Sequence, residues 1–265
     1  MSYVFERTTI AKHCYFFDAY LQQLCAGDKA GISSREDYWE DHLLASQFYA
    51  LFVSGEEVGL AAIYQHSLLT CFYLPRQHMH VAQPLFTAFQ AEHPFTHAYV
   101  LTHDELLLSL ALEVAQSVEL QAYLFVYDST AVRSPEFPRA LLRLAIPEDQ
   151  SDILDTEHVL ENIALGKYYV MRENGVFMGQ GFFNRSTLDP SRVSIGMSVH
   201  PDYRQRGVGR SIIMHLAHEA MEQGLQPYCG CWSGNANSKR TLESAGFRSA
   251  TRLLLITFPP VLSAK

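Results

Sequence analysis

The most informative segment of the chain is Val199-His-Pro-Asp-Tyr-Arg-Gln-Arg-Gly-Val-Gly209. A β-prone run leads into it, and an amphipathic helix follows, with apolar residues at 212, 213, 216, 220 and 221. The first N–H groups of a helix have no internal partner, and the helix dipole adds positive charge there. Glycines allow close approach of a ligand, and Arg204, Arg206 and Arg210 add positive charge. Residues 204–211, hereafter the cradle, therefore predict an anion-binding site, to which Ser211 adds a hydroxyl.

Two familiar phosphate-binding motifs are absent from the cradle. It lacks the Lys-[Ser/Thr] ending of a P-loop and the Gly-x-Gly-x-x-Gly fingerprint of dinucleotide-binding folds. From the residues alone, a pyrophosphate cradle and an ordinary glycine-containing turn with solvent-exposed arginines are equally good interpretations.

The two halves of the chain repeat one order of elements. Residues 48–53 and 58–64 in the first half, like 168–171 and 176–183 in the second, predict a strand, a tight turn and a strand. Each half continues with a strand, an amphipathic helix, a strand, a helix and a strand. This order predicts an α+β fold of two tandem domains, each a mainly antiparallel mixed sheet flanked by helices.

A connector with two prolines joins the halves. Residues 128–138 also contain serine, threonine and charged residues, which is typical of an exposed linker. We therefore expect one domain at 1–138 and a second at 139–265.

A resemblance to a known family favours the pyrophosphate interpretation. The GNAT superfamily of acyl-CoA-dependent N-acyltransferases carries [Gln/Arg]-x-x-Gly-x-[Gly/Ala] at its pyrophosphate site, and this chain has Arg204-x-x-Gly207-x-Gly209. The resemblance extends from 141 to 258, while the first half resembles a degenerate copy of the same domain.

A second block of the chain resembles the same superfamily. The family carries an Asn, a small residue three positions on, and Gly-Phe after the helix, which is similar to Asn235, Ser238 and Gly246-Phe247. The run 227–238 also resembles a bacterial branch that includes antibiotic self-resistance acetyltransferases.

The resemblance implies acetyl-CoA as co-substrate, bound in the second half. Backbone amides of the cradle would bind the pyrophosphate, the edge of the strand at 197–199 would pair with the pantetheine, and the helix after Asn235 would contact the same arm. One amide of that strand would also polarise the thioester carbonyl. The implied cofactor-binding residues are Met197, Val199, Arg204, Arg206, Gly207, Val208, Gly209, Arg210, Ser211, Asn235 and Ser238.

The catalytic residues are not assigned by the resemblance. Leu242 stands where many members carry a tyrosine acid, and Val193 and Ser194 stand where a carboxylate base often lies. The groups left open for proton removal are water, Tyr168, Tyr169, His158, Glu157 and Asp189. Three further residues each have two interpretations. His200 is a loop residue or a catalytic group, Trp232 is a core residue or part of the acyl or acceptor site, and Cys231 is an apolar strand residue or a nucleophile.

The first half lacks a cradle. Its corresponding segment, Arg76-Gln-His-Met-His-Val81, has no glycine, and His78 and His80 have no evident third metal ligand. We therefore expect that this half does not bind CoA and that it walls the acceptor site. Its candidate acceptor contacts are Asp104, Glu105, Tyr38 and Trp39.

Composition excludes several classes of function. The chain has 265 residues, 20 basic and 28 acidic side chains, and a net charge of −8. Such a chain is unsuited to general nucleic-acid binding or to docking on anionic lipid, and it has no run of about 18 apolar residues that could span a membrane. Five cysteines without a leader indicate a cytoplasmic protein with reduced thiols. Cys229 and Cys231 lack further ligands at metal-binding spacing, so we expect no metal.

The sequence thus favours an enzyme that transfers an acetyl group from acetyl-CoA to a primary amine of a small molecule by direct attack. The alternatives are a non-catalytic acyl-CoA sensor, which the missing acid at position 242 favours, and a structural or partner-binding scaffold. The acceptor and the oligomeric state stay open.

Overall fold

The computed structural model describes residues 1–26, 37–129, 133–154 and 158–260. The chain forms two compact units. Unit 1 comprises Met1–Tyr123 and Thr251–Lys265, and unit 2 comprises Leu124–Ala250. The limits of the units fall inside two strands, Ser117–Tyr127 and Phe247–Thr257. The division into domains 1–138 and 139–265 stays a prediction.

Unit 1 is a mixed sheet with helices. Its elements in chain order are β1 (Tyr3–Thr8), α1 (Cys14–Ala26), α2 (Asp37–Leu44), β2 (Gln47–Val53), β3 (Glu56–Tyr64), β4 (Leu68–Tyr73), a 3-10 helix (Arg76–Val81), α3 (Ala82–Glu92), β5 (His97–Leu101), α4 (Glu105–Val114) and the first part of β6 (Ser117–Tyr127). The strand order is β1-β2-β3-β4-β5, in which only β4 and β5 are parallel. The last strand of the chain completes this sheet, because Leu253–Thr257 pair antiparallel with β5.

Aromatic side chains fill the core of unit 1. Helix α3 buries Phe86 and Phe89 completely, three residues apart on one face. Phe86 packs edge-to-face on Phe72, and Phe89 packs in the same way on Phe5, each with ring centroids 5.1 Å apart. Each buried phenylalanine contributes about 1.5–3 kcal/mol, so this cluster is a main source of the unit's stability.

Unit 2 repeats the same plan. Its elements are the last part of β6, β7 (Leu142–Leu144), α5 (Val159–Ala164), β8 (Tyr168–Glu173), β9 (Val176–Arg185), β10 (Arg192–Val199), α6 (Val208–Glu222), β11 (Gln226–Trp232), α7 (Ala236–Ser244) and the first part of β12 (Phe247–Thr257). The strand order is β6-β11-β10-β9-β8-β7. Only β10 and β11 are parallel among the pairs from β7 to β11. The prediction of an α+β fold with mixed sheets flanked by helices is confirmed.

Both predicted hairpins are present. The turn between β2 and β3 has positive φ at Ser54 (51°) and Gly55 (87°), and the turn between β8 and β9 has it at Asn174 (49°) and Gly175 (80°). Two successive residues with positive φ match the twist of the flanking strands. The amphipathic helix predicted for the first half is α3, which begins at Ala82, directly after the 3-10 helix Arg76–Val81.

One strand of unit 2 is paired on both sides only at its start. β10 pairs with β9 from Val193 to Val199, but it pairs with β11 only from Arg192 to Ser194. Beyond Ser194 these parallel strands separate, so the second edge of β10 meets no described strand. Helix α6 begins soon after this open edge and packs on β9 and β10.

Candidate active site

A cavity of about 1140 Å³ lies in unit 2 at the open end of β10. Most of its lining comes from three segments: the end of β10, the loop and first residues of α6, and α7. The structure brings most of the predicted cofactor residues to this one cavity, hereafter the main cavity. Those that line it are Met197, Val199, Arg204, Gly207, Val208, Gly209, Arg210, Asn235 and Ser238.

The start of α6 has the geometry of an anion site. Gly207 is the residue before the helix and has φ +84°, a conformation that glycine adopts without strain. The N–H of Ser211 donates to the Gly207 carbonyl (2.9 Å), which is the first bond of the helix. The N–H groups of 208–210 therefore precede the helical ladder and have no partner within it. Together with the dipole, they favour a negatively charged group at this end.

Helix α7 forms the opposite wall. The Asn235 side chain caps it, because Asn235 Oδ1 accepts the Ser238 N–H (3.0 Å). This bond leaves the amide NH₂ of Asn235 as its donor toward a ligand. One face of the helix, at i, i+3, i+4 and i+7, also lines the main cavity: Asn237, Arg240, Thr241 and Ser244.

The main cavity is basic although the chain is acidic. Its only carboxylate among the described lining residues, Glu243, accepts a bond from Lys239 (2.8 Å). Arg210 is almost buried, and burial, together with the neighbouring Arg133, lowers the pKa of its guanidinium. The arginines that line the cavity are Arg133, Arg204, Arg210, Arg240 and Arg248. A ligand with several phosphate charges suits this wall.

Two of the predicted cofactor residues do not line the main cavity. Arg206 lines a second cavity of about 550 Å³, and its guanidinium lies over the Tyr203 ring, 5.5 Å from the centroid. The Ser211 side chain is buried, and its hydroxyl donates to the Gly207 carbonyl (3.0 Å) and accepts the Phe137 N–H (3.1 Å). The hydroxyl expected to face an anion therefore holds the backbone instead.

The candidate bases lie away from both cavities. Tyr168 and Tyr169 are buried, and for Tyr169 burial, with a smaller contribution from Glu219, raises the pKa of the phenol. His158 is exposed before α5, and Asp189 accepts a bond from the Ser191 hydroxyl (2.6 Å). Glu157 lies outside the described residues.

The remaining residues considered for catalysis differ in how far they are buried. Leu242, Val193 and Ser194, which stand where many members carry an acid or a base, are buried. Trp232, the last residue of β11, is 64% exposed, so the interpretation of it as a core residue is wrong. Cys231 is a buried strand residue with a free thiol.

His200 follows β10 and lines the second cavity. Its Nδ1 accepts a long bond from the Asp202 N–H (3.4 Å), and its ring lies between those of Phe177 and Tyr203. It is a loop residue beside the cradle, as the sequence indicated.

The described residues of unit 1 include no counterpart of the cradle. Helix α3 follows a 3-10 helix and has Val81, not glycine, before its first residue. His78 lies 3.8 Å from a Glu56 oxygen, and His80 Nδ1 lies 3.0 Å from the Gln77 carbonyl. Among the described residues, no group of three or more His, Cys, Asp or Glu is arranged to hold a metal.

Two of the candidate acceptor contacts in unit 1 are buried. Trp39 is fully buried, and Asp104 is 2% exposed, so neither is free to touch an acceptor. Asp104 caps α4 and accepts a bond from Tyr20 Oη (3.0 Å). Tyr38 and Glu105 are exposed, and the Tyr38 hydroxyl lies 3.2 Å from that of Tyr99. The sequence could not show this burial, because α1 and α2 carry no motif that places them on the sheet.

Across the described residues, no helix is both long enough and apolar enough to cross a membrane.

Comparison with known proteins finds one family twice. Residues 10–128 match the family described as Acetyltransferase (GNAT) domain, and residues 131–247 match the Acetyltransferase (GNAT) family. A search of curated proteins with the sequence gives no match.

Solved structures share the fold over nearly the whole chain. An acetyltransferase of the GNAT family from Colwellia psychrerythraea has a TM-score of 0.84 at 17% identity, covering 97% of this chain and all of its own. A GCN5-related N-acetyltransferase from Sphaerobacter thermophilus has a TM-score of 0.62 at 14% identity, with coverage of 99% and 98%. A tandem GNAT protein from the clavulanic acid biosynthesis pathway has a TM-score of 0.57 at 13% identity, with coverage of 98% and 100%. The chain is therefore an acyltransferase of the GNAT superfamily, with one GNAT domain in each half of its sequence.

Proposed function

We propose that this enzyme transfers an acetyl group from acetyl-CoA to a primary amine of a small molecule, and that unit 2 holds the cofactor. The observation that carries the proposal is the main cavity itself. The open edge of β10, the start of α6 and a row of arginines all face one space of about 1140 Å³.

The residues of the main cavity fit the parts of such a cofactor. The cradle, from Arg204 to Ser211, offers N–H groups and positive charge to a pyrophosphate. The edge of β10 at 197–199 pairs with no described strand and offers backbone groups to the amides of a pantetheine, as an added strand would, although the Val199 carbonyl accepts a bond from Arg204 Nε (3.3 Å). A side chain at Gly209 would point at Val199, Met197 and Thr241, so glycine keeps this part of the cavity open.

Acetyl-CoA supplies an activated acyl thioester, which a neutral amine attacks directly: a C–N bond forms, the C–S bond breaks, and the amine loses a proton. The protein positions the two reactants. A backbone N–H of β10 donates to the carbonyl oxygen as negative charge develops on it. Positioning of this kind supplies a large part of the rate in two-substrate reactions.

In this proposal none of the described candidate bases takes part in proton transfer, and Glu157 lies outside the described residues. Tyr168, Tyr169, His158 and Asp189 lie outside the main cavity, and Leu242 replaces the acid. Water therefore takes the proton from the amine and returns one to the thiolate. A general base increases the rate of such a reaction by about 10²–10⁴-fold. Without one, we expect a slow enzyme whose rate rises with the fraction of neutral amine.

The second candidate is a sensor that binds acyl-CoA without turnover. The buried Leu242 favours it, since no acid protonates the leaving thiolate. Release of free thiol with a panel of amines separates the two functions, because a sensor binds the cofactor and releases none.

Thermal unfolding with and without acetyl-CoA tests the cofactor site. At a hundredfold excess over Kd, binding to the folded state stabilises the protein by about 2.7 kcal/mol. Gly207→Trp should abolish the shift, because a side chain there enters the space beside the cradle. Gly224→Trp is the matched control: it also has positive φ (71°) but has open space around it, so the shift should persist. No shift in the wild-type protein would contradict the proposal.

A further inference from the structure

A short segment of the connector is fixed along α6. The Phe137 N–H donates to the Ser211 hydroxyl (3.1 Å), and the Phe137 carbonyl lies 2.8 Å from His215 Nε2. The Arg139 guanidinium donates to Glu219 (2.6 Å). Residues 211, 215 and 219 share one face of the helix, since they are four apart. The strap, residues 136–139, therefore runs along α6 toward its start.

The first residue of the strap lies in the cradle. The Glu136 carboxylate forms an ion pair with the Arg210 guanidinium. It also lies directly against Gly207, because a Cβ built on that glycine would overlap the carboxyl group of Glu136. Glu136 thus places a negative charge at the start of α6, where the dipole and the N–H groups favour one.

We propose that Glu136 is an internal competitor for the cradle, which the phosphates of the cofactor must displace before they bind. The inference rests on the proposed function and adds its regulation. The carboxylate and a pyrophosphate use the same positive groups, and two anions cannot share them without repulsion. The affinity for a phosphate-bearing ligand is therefore lower than the cradle alone would give.

The strap allows this displacement without unfolding. Its anchors are Phe137 and Arg139, which lie beyond Glu136 along α6. The Glu136 side chain is 38% exposed, so a change of rotamer carries its carboxylate into solvent while the anchors stay in place. The Arg210 side chain is only 10% exposed and remains to bind the phosphates.

Glu136→Gln tests the proposal, because it keeps the shape of the side chain and removes its charge. Three ligands are titrated by calorimetry: acetyl-CoA, inorganic pyrophosphate and S-acetylpantetheine, which has no phosphate. We expect acetyl-CoA and pyrophosphate to bind about two to five times more tightly to the variant, the range for a partly exposed ion pair. S-acetylpantetheine should bind equally to both proteins.

Glu148→Gln is the matched control, since Glu148 is an exposed carboxylate of the same unit outside both cavities. It should leave all three affinities unchanged, and thermal unfolding checks that both variants are folded. If wild type binds acetyl-CoA and Glu136→Gln binds it equally or more weakly, the competitor is refuted while the cofactor site stands. If neither protein binds acetyl-CoA or pyrophosphate, both the cofactor site and the competitor are refuted.

Discussion

Replacing Asp104 by asparagine should change how the stability of unit 1 depends on pH. The carboxyl group is 2% exposed and accepts bonds from Tyr20 Oη (3.0 Å) and the Leu107 N–H (3.2 Å). Burial raises its pKa from 3.8 to about 6, although both hydrogen bonds lower it. The folded state therefore binds this proton more tightly than the unfolded chain does.

The size of the effect follows from the shift in pKa. Below pH 3.8 the carboxyl is protonated in both states and makes no difference. As the pH rises from about 4 to about 6, the unfolded chain ionises first, and the free energy of unfolding falls by about 3 kcal/mol. Asparagine caps a helix as well as aspartate does and has no proton to lose. We expect Asp104→Asn to match wild type near pH 4 and to be more stable by up to about 3 kcal/mol at pH 7.

The two tryptophans make the assay specific to unit 1. Trp39 is fully buried there, whereas Trp232 belongs to unit 2 and is exposed. In a Trp232→Phe background, urea unfolding followed by tryptophan emission reports on unit 1, without assuming that both units unfold together. The difference between wild type and variant is measured from pH 4 to pH 7. A difference that stays constant over this range would refute the reasoning.

Two further predictions concern unit 2. Burial raises the pKa of the Asp149 carboxyl, but bonds from Arg143, the Ile146 N–H and Arg172 bring it down to about 2. Its stabilisation is present above pH 4 and lost as the pH falls toward 2, so Asp149→Asn should cost about 2 kcal/mol at pH 7 and less at pH 3 in urea unfolding; an equal cost at both pH values would contradict this. A Cβ at Gly209 would lie 3.2 Å from Val199 Cγ2, so Gly209→Leu should weaken acetyl-CoA binding at least about tenfold in calorimetry. Unchanged affinity in the folded variant would mean that the cofactor does not use this part of the main cavity.

The sequence predicted those elements of the fold that local chemistry decides. Gly175 follows Asn174 in a two-residue turn, and this pair is a strong hairpin signal by itself. Helix α6 was predicted to follow the glycines of the cradle, and it begins at Val208, since its apolar period is regular and Gly207 precedes it. Helices α1 and α2 were missed, because their positions depend on contacts with strands far away in the sequence.

The lining of the main cavity was predicted at the start of α6 and missed where side chains far apart in the sequence meet. The cradle was predicted from its glycines and arginines together with the resemblance, since the residues alone left an ordinary turn as an equal alternative. Arg240 shares a helix face with Thr241 and Ser244, and this face could have been found by counting from the cap at Asn235. The contact of Glu136 with Arg210 had no sequence signal, because it joins a linker to a helix seventy-four positions away.

The caps of α4 and α7 show that the two units share one local design. Each cap follows the last strand residue by three positions, and its N–H donates to the carbonyl of that residue at 2.9 Å: Asp104 to Leu101 and Asn235 to Trp232. Each cap side chain then accepts the N–H three residues further on. This repeated geometry makes the two positions structurally equivalent, so the presence of aspartate at one and asparagine at the other needs a physical reason.

The difference lies in what covers each cap. Tyr20 of α1 is 1% exposed and bonds to Asp104, so the unit's own helix fills the space in front of this cap. Asn235 is exposed and lines the main cavity, where its amide adds no negative charge beside the arginines. A carboxylate at Asn235 would oppose an incoming phosphate, whereas at Asp104 burial favours its neutral form. The two equivalent cap positions thus carry different residues for a physical reason. The protein fills the space in front of Asp104, whereas the space in front of Asn235 is open to a ligand.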